Sequence, residues 1–280
     1  MDNAKKIIEK WYGELKFSEE LDEPFSGLLS RTLIKEGLTP GDADLSKDAG
    51  EEITLTVLYL VEGMHREYMK RGLSEELFLV NVKPIRDRIE STYKKKGNFA
   101  LGDMDWYRMI LEGRLFRLGR LQFGLGRSPV DIPSKSVKKG DNVLQLHIPS
   151  GEKLGFDACL ESINRAISLT EKHFPDFEYR YITCLSWLLD GSVADLLGEG
   201  SNVLKFATLF EIVANNKSDS IIRFVFGGGA TREDLPNITP NGRFQTALKA
   251  EALAGREFFC PRGVIDTVRW RESDYFKTVD

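Results

Sequence analysis

Residues 142–162, NVLQLHIPSGEKLGFDACLES, decide the fold of the chain. Four of the six residues VLQLHI (143–148) are apolar, as in a strand, and apolar residues recur at helical spacing after Phe156. Pro149 and Gly151 lie between the two parts and predict a short turn. The stretch therefore predicts a strand, a turn and a helix, and it contains His147, one of the three histidines in the sequence.

The composition excludes several classes of protein. Apolar residues make up 41% and charged residues 29% of the 280 residues, which is typical of a globular protein with one large or two smaller domains. The formal net charge of −4 gives no overall attraction to nucleic acid or to an anionic membrane. No apolar run approaches the roughly 20 residues that span a bilayer, and the polar N-terminal residues lack a signal-peptide pattern. We expect a cytoplasmic protein without nucleic-acid or membrane partners.

The cysteines and histidines give no metal-binding pattern. Cys159, Cys184 and Cys260 are far apart in the sequence and none belongs to a CxxC pair. The histidines are equally scattered. The sequence therefore predicts buried free thiols and no metal site.

The N-terminal part, residues 1–112, has mainly helical periodicity. The stretch 51–72 places Ile53, Val57, Leu60, Val61, Met64 and Tyr68 on one helical face. Ser74 is placed to cap the next helix, and we expect Pro84 to interrupt or kink that helix.

From residue 113 the pattern changes to that of an α+β domain, residues 113–280. Residues 113–126 predict one long strand, and further strands follow at 143–148 and 179–187. The helix that begins at Phe156 should bury Cys159, Ile163, Ala166, Ile167 and Thr170. Residues 202–214 and 220–227 predict an antiparallel strand pair, and 242–255 a last helix.

Five segments resemble a known family in their sequence and their order: GRLFRLGRLQF (113–123), LHIPSG (146–151), CLSWLLD (184–190), SNVLKF (201–206) and RFVFG (223–227). They are similar to bacterial acyltransferase-domain proteins, which join an N-terminal N-acyltransferase domain to a GNAT-like C-terminal domain. The resemblance implies a helical N-terminal region followed by a GNAT-like mixed, mainly antiparallel sheet flanked by helices. It also implies an N-acyltransferase that transfers an acyl group from acyl-CoA, its cosubstrate, to an amine-bearing small molecule or peptide by direct attack.

The turn after the strand is the candidate cofactor site. Backbone N–H groups at the start of a helix lack internal partners and attract phosphate, so the pyrophosphate of coenzyme A could lie against Ser150, Gly151, Lys153 and Gly155. The alternative is a turn whose glycines only serve its dihedral angles. The GNAT signature Q/R-x-x-G-x-G/A is absent, because Gln122, Gly124 and Gly126 form only Q-x-G-x-G on a strand. A second source of phosphate contacts is the loop with Arg127, Lys135, Lys138 and Lys139, or that loop is simply solvated.

Three residues are candidates for the catalytic chemistry. His147, at the end of its strand, is either a general base for the amine or a structural histidine bonded to a neighbouring strand. Ser186 or Cys184 could protonate the departing thiolate.

Four other residues are candidates for substrate binding. If residues 113–123 form one strand, Arg114, Arg120 and Gln122 share a face and could bind an acidic group. An internal ion pair with Glu112 or Asp105 is an equal alternative. Trp187 would be a pocket wall or a core residue.

Two other functions remain open at this point. The missing signature and the acidic Glu152 and Asp157 near the turn are compatible with a catalytically degenerate protein that binds CoA or an acyl-peptide. The helical N-terminal part is compatible with a non-catalytic module that docks a protein partner.

Overall fold

The computed structural model describes residues 2–46, 50–102, 104–198 and 200–277. The chain divides into two compact units, Met1–Arg117 and Leu118–Asp280. The division falls a few residues after the sequence boundary at 112–113, within a short strand.

The first unit is helical. Its helices are α1 (Asp2–Glu14), α2 (Asp22–Arg31), α3 (Glu52–Lys70), α4 (Glu75–Lys96) and α5 (Asp105–Leu111). All six residues predicted for the apolar face of α3 are buried. The helical periodicity of residues 51–72 therefore predicted both the element and its buried side.

Of the two expectations for Pro84, an interruption of helix α4 is wrong. Ser74 caps the helix as predicted, because its Oγ accepts a hydrogen bond from the Leu77 N–H at 3.2 Å. The helix then continues through Pro84 to Lys96 and ends at Gly97, which has φ 69°. A proline removes one backbone hydrogen bond, and the buried side chains of Phe78 and Ile89 hold the helix on both sides of that position.

Apart from residues 115–117, a sheet lies in the second unit. Within the described residues, six strands form it: β1 (Leu115–Leu118), β2 (Leu121–Arg127), β3 (Asn142–His147), β4 (Tyr181–Leu185), β5 (Glu211–Lys217) and β6 (Phe259–Asp266). Their order is β1-β2-β3-β4-β6-β5. β3 and β4 are parallel, whereas the β2–β3, β4–β6 and β5–β6 pairs are antiparallel. This mixed, mainly antiparallel sheet flanked by helices confirms the predicted fold class.

Helix α6 (Phe156–His173) connects β3 to β4. The five apolar-face residues predicted for it, from Cys159 to Thr170, are all buried. The helix packs against β2, and Phe123 and Leu125 of that strand are buried too. Strand, turn and helix thus follow each other as residues 142–162 predict.

The predicted long strand at 113–126 is wrong, because the chain turns back at Gly119. β1 and β2 are separated by the two residues Gly119 and Arg120, and Gly119 has φ 76°. A glycine with positive φ at the first position of a two-residue turn is typical of a hairpin. Arg114 precedes β1 and Arg120 lies in the turn, so strand alternation does not place them on one face with Gln122.

The predicted strand pair at 202–227 is also wrong. The segment contains helix α8 (Asn202–Ala207), strand β5 and helix α9 (Ser220–Phe226), and β5 pairs with β6. Ser201 caps α8 through its Oγ, which accepts from the Val203 N–H at 3.2 Å. Short apolar runs do not distinguish helix from strand by periodicity. The remaining helices are α7 (Ala194–Leu197), α10 (Gly242–Leu253) and α11 (Thr267–Arg271).

Candidate active site

Gln122 and His147 face each other across β2 and β3. They are direct Cα partners in an antiparallel ladder that continues to Arg127 and Asn142. Directly opposite residues of an antiparallel pair place their side chains on the same face of the sheet. The structure therefore brings the predicted base next to one of the predicted substrate-binding residues.

The parallel pairing of β3 and β4 ends before either strand does. Leu144 pairs with Ile182 and Gln145 with Thr183, and the registered pairing goes no further. β3 continues to His147 and β4 to Leu185, whose side chain is 51% exposed. Since the strands are parallel, both carboxyl ends lie at the same edge of the sheet, which is where α/β sheets bind ligands.

His147 is half-buried, and its Nε2 is shielded from water. Burial disfavours the charged imidazolium and lowers the pKa of His147 to about 4. The imidazole is therefore neutral at pH 7, which is the form that accepts a proton.

The turn from Ile148 to Gly155 leads from His147 to α6. Ser150, Gly151 and Lys153 are exposed, and Gly151 has φ 101°, a conformation that other residues rarely adopt. Gly155 occupies the N-cap position of α6 without a side-chain cap. The four predicted cofactor-binding residues thus lie in one exposed turn at the start of an 18-residue helix.

Arg120 binds the same turn from the inside. Its Nε donates to the carbonyl oxygen of Lys153 at 3.0 Å and its Nη2 to that of Glu152 at 2.9 Å. Arg120 is 7% exposed. Its guanidinium binds backbone carbonyls of the chain itself, whereas the sequence suggested an acidic substrate group.

Arg114 lies in the first unit, where its Nη2 is paired with the carboxylate of Glu112. This is the internal ion pair that the sequence left open. Strand pairing therefore places neither Arg114 nor Arg120 opposite His147. Among the residues predicted to bind substrate, only Gln122 is a strand partner of His147.

Ser186 and Cys184 differ in their access to a leaving group. Cys184 is buried in β4 opposite Gly263, and burial raises the pKa of its thiol. Because Gln145 pairs with Thr183, strand alternation places Cys184, and the extended Ser186 after it, on the face opposite His147. Ser186 follows the exposed Leu185, and its Oγ accepts from the Leu188 N–H at 3.2 Å, which leaves the hydroxyl proton to be donated.

Trp187 packs at the edge of a hydrophobic core. Its ring stacks on Phe244 of α10 with centroids 6.3 Å apart, and it lies against the cluster that includes Val193, Ile221 and Leu248. This favours the core interpretation of Trp187 over direct substrate binding.

A mainly apolar cavity of about 490 Å³ opens at the start of α6. Its lining is Phe156, Gly200, Ser201, Leu204, Lys205 and Thr208. Lys205 is exposed and brings a positive charge to this lining. The sequence did not single out Phe156 or Lys205, although Lys205 lies in SNVLKF, one of the segments that carry the family resemblance.

The lysine loop lies at the other end of β3. It joins Arg127 to Asn142, whereas His147 ends the strand five residues later, about 17 Å along the chain. Lys135 is paired there with Glu211 at 2.5 Å. The loop is therefore far from the turn that precedes α6.

Two kinds of site are absent from the described residues. No group of three or more His, Cys, Asp or Glu side chains among them could hold a metal ion. No helix in the same part of the chain is both long and apolar enough to cross a membrane.

Comparison with solved structures gives consistent neighbours. An acyltransferase in complex with CoA and 10C-teicoplanin is 26% identical with a TM-score of 0.63, over 76% of this chain and 65% of that one. An acyltransferase in complex with decanoyl-CoA is 25% identical with a TM-score of 0.66, over 84% and 72%. A mutant acyltransferase in complex with octanoyl-CoA, 21% identical with a TM-score of 0.69 over 95% and 88%, supports the fold alone. The chain thus spans about two thirds of the length of the first of these relatives.

Sequence comparison gives the family. No curated protein matches the chain. The model of the GNAT-like C-terminal domain matches residues 115–265, more than half of the 280 residues. The matched range contains the whole of β1 to β4, helix α6 and the turn between them. The chain therefore belongs to the family of proteins with a GNAT-like C-terminal domain.

Proposed function

We propose that the protein is an acyl-CoA-dependent N-acyltransferase whose thioester lies between the carboxyl ends of β3 and β4. The observation that carries the proposal is the end of the parallel pairing at Gln145 and Thr183, next to His147. Successive residues of β3 direct their backbone groups alternately toward β2 and away from it. One of Leu146 and His147 therefore presents its N–H and C=O to the opening, where the amides of a pantetheine arm can bond.

The pyrophosphate, the adenosine phosphate and the apolar parts of acyl-CoA each have a candidate binding surface. The turn from Ser150 to Gly155 offers backbone N–H groups and the positive end of the α6 dipole to the pyrophosphate. The cavity lined by Phe156 and Leu204 accommodates apolar parts of the ligand, and Lys205 offers a cation for a phosphate. The relatives in complex with CoA and decanoyl-CoA support this choice of cosubstrate.

The reaction needs one bond formed and one broken. The amine nitrogen attacks the thioester carbonyl carbon, and neutral His147 accepts the proton that the nitrogen loses. The C–S bond then breaks, and the hydroxyl of Ser186 supplies a proton to the thiolate, which leaves as CoA. Solvent then carries the proton taken up by His147 back to Ser186, which restores both side chains. Gln122 lies beside His147 and orients the incoming amine with its carboxamide. Cys184 is a weaker candidate for the proton donor, since its thiol is buried within β4, whereas Ser186 lies just beyond the end of that strand.

One observation supports a second function, binding of CoA without turnover. Glu152 and Asp157 are exposed and put negative charge near the turn that would receive pyrophosphate. Lys153 in the same turn offsets part of it.

Thermal unfolding with CoA, acetyl-CoA, octanoyl-CoA and decanoyl-CoA tests the cofactor. At about 100 times its dissociation constant, a ligand adds about 2.7 kcal/mol of stability. ATP serves as the phosphate-bearing control. Release of free CoA in the presence of primary amines separates the transferase from a binding protein, and no shift with any CoA species would contradict both functions.

A further inference from the structure

Arg120 is anchored at both its backbone and its side chain to the segment that begins α6. The N–H groups of Arg120 and Leu121 donate to the Oγ of Ser162 at 2.9 and 3.3 Å, and that hydroxyl donates to the Ala158 carbonyl at 2.7 Å. The guanidinium continues from this anchor to the carbonyls of Glu152 and Lys153. The β1–β2 hairpin turn therefore holds both the turn before α6 and the first turns of the helix.

These bonds fix the direction of two peptide groups. In a trans peptide the C=O and the following N–H point in opposite directions. Because the Glu152 and Lys153 carbonyls both point at the guanidinium, the N–H groups of Lys153 and Leu154 point away from it. Two successive N–H groups that both point away from the guanidinium form a site of the kind that binds anions, and the guanidinium charge behind them adds to the attraction.

We infer that Arg120 is a positioning residue that presents the Lys153 and Leu154 N–H groups to the pyrophosphate of acyl-CoA, an inference that rests on the proposed function. Arg120 does not contact the cofactor. It takes the place of a sequence signature, because the chain lacks the Q/R-x-x-G-x-G/A pattern and needs another means to hold the turn open to phosphate.

The test compares Arg120→Met with Arg127→Met by isothermal titration. Arg127 also donates to a loop carbonyl, that of Gly140 at 2.9 Å, but at the far end of β2. The ligands are decanoyl-CoA and S-decanoylpantetheine, which lacks the pyrophosphate. Loss of charge-assisted bonds worth about 1.5–3 kcal/mol should raise the Kd of Arg120→Met for decanoyl-CoA by about ten- to a hundredfold. Its Kd for S-decanoylpantetheine should not change, and Arg127→Met should bind both ligands as the wild type does.

Two results with folded Arg120→Met overturn the inference: an unchanged Kd for decanoyl-CoA, or an equal loss of affinity for both ligands. Either result leaves the proposed function standing. If the variant does not fold, amide resonances of the wild type decide. Addition of ADP, which carries the pyrophosphate, should shift the Lys153 and Leu154 amides, and ADP binding without these shifts overturns the inference. A wild type that binds neither decanoyl-CoA nor ADP overturns the proposed function together with it.

Discussion

Gln122 and His147 are direct cross-strand partners at the carboxyl end of β3, where the parallel pairing with β4 has already ended. A carboxamide that both donates and accepts hydrogen bonds thus stands beside a neutral imidazole. In the proposed reaction, the pair would hold a neutral amine between an acceptor of its proton and a group that orients it.

Gln122→Leu should therefore reduce turnover without weakening cofactor binding. Loss of one hydrogen bond to the amine, worth about 1 kcal/mol, predicts a decrease in kcat/KM for the amine of roughly five- to tenfold. The Kd for acyl-CoA should not change. Arg114→Ala is the control, because this exposed side chain is paired with Glu112. Wild-type kinetics in Gln122→Leu would show that Gln122 does not contact the acceptor.

The lowered pKa of His147 predicts a stability that falls in acid. The pKa is about 4 in the folded protein and 6.5 as its ordinary value, so between these pH values the unfolded state binds more protons. Stability is complete above about pH 6.5 and is lost as the pH falls toward 4, by roughly 2–3 kcal/mol. Denaturant unfolding at pH 7.5 and 4.5 measures this loss of stability. The free energy of unfolding of His147→Gln should fall less between these two pH values than that of the wild type. An equal loss in both proteins would mean that other groups determine the acid sensitivity.

A comparison of Gly151→Asp with Gly151→Asn separates the effect of charge from that of backbone strain in the turn before α6. Both replacements strain a backbone with φ 101°, but only the aspartate adds a negative charge where pyrophosphate should lie. We expect CoA to bind about tenfold more weakly to the Asp variant than to the Asn variant. Equal affinities by titration would place the pyrophosphate away from Gly151.

Lys205→Glu and Lys138→Glu compare two exposed lysines of the second unit. Lys205 lines the cavity at the start of α6, whereas Lys138 lies in the loop at the far end of β3. Charge reversal at Lys205 should weaken CoA binding by about tenfold at low salt and less at high salt, while Lys138→Glu has no effect. The reverse result would move the phosphates to the lysine loop.

The sequence predicted correctly those helices in which the spacing of apolar residues repeats over many turns. Helices α3 and α6 each carry an apolar face over 18 or more residues, so their buried sides could be named in advance. The hairpin at Gly119 could not be separated from one long strand, because a two-residue turn keeps the apolar alternation on both sides. β6 went unpredicted, since Pro261 and Gly263 within it argue against a strand.

The sequence named candidate residues for the site but did not predict how they are arranged. The turn after His147 followed from its glycines and its place between strand and helix. The Gln122–His147 pairing depends on the register across the loop from 128 to 141, which local sequence does not specify. The role of Arg120 depends on carbonyl directions in a turn more than thirty residues away, and no sequence pattern indicates these.

Turnover of His147→Gln at saturating acyl-CoA tests the central claim most directly. CoA release from decanoyl-CoA is followed with a panel of primary amines, and the Kd for decanoyl-CoA is measured on the same protein. Glutamine keeps a hydrogen bond but cannot take up the proton, so we expect turnover to fall by roughly 10² to 10⁴ with the Kd little changed. A His147→Gln variant that retains most of the wild-type turnover would contradict the account.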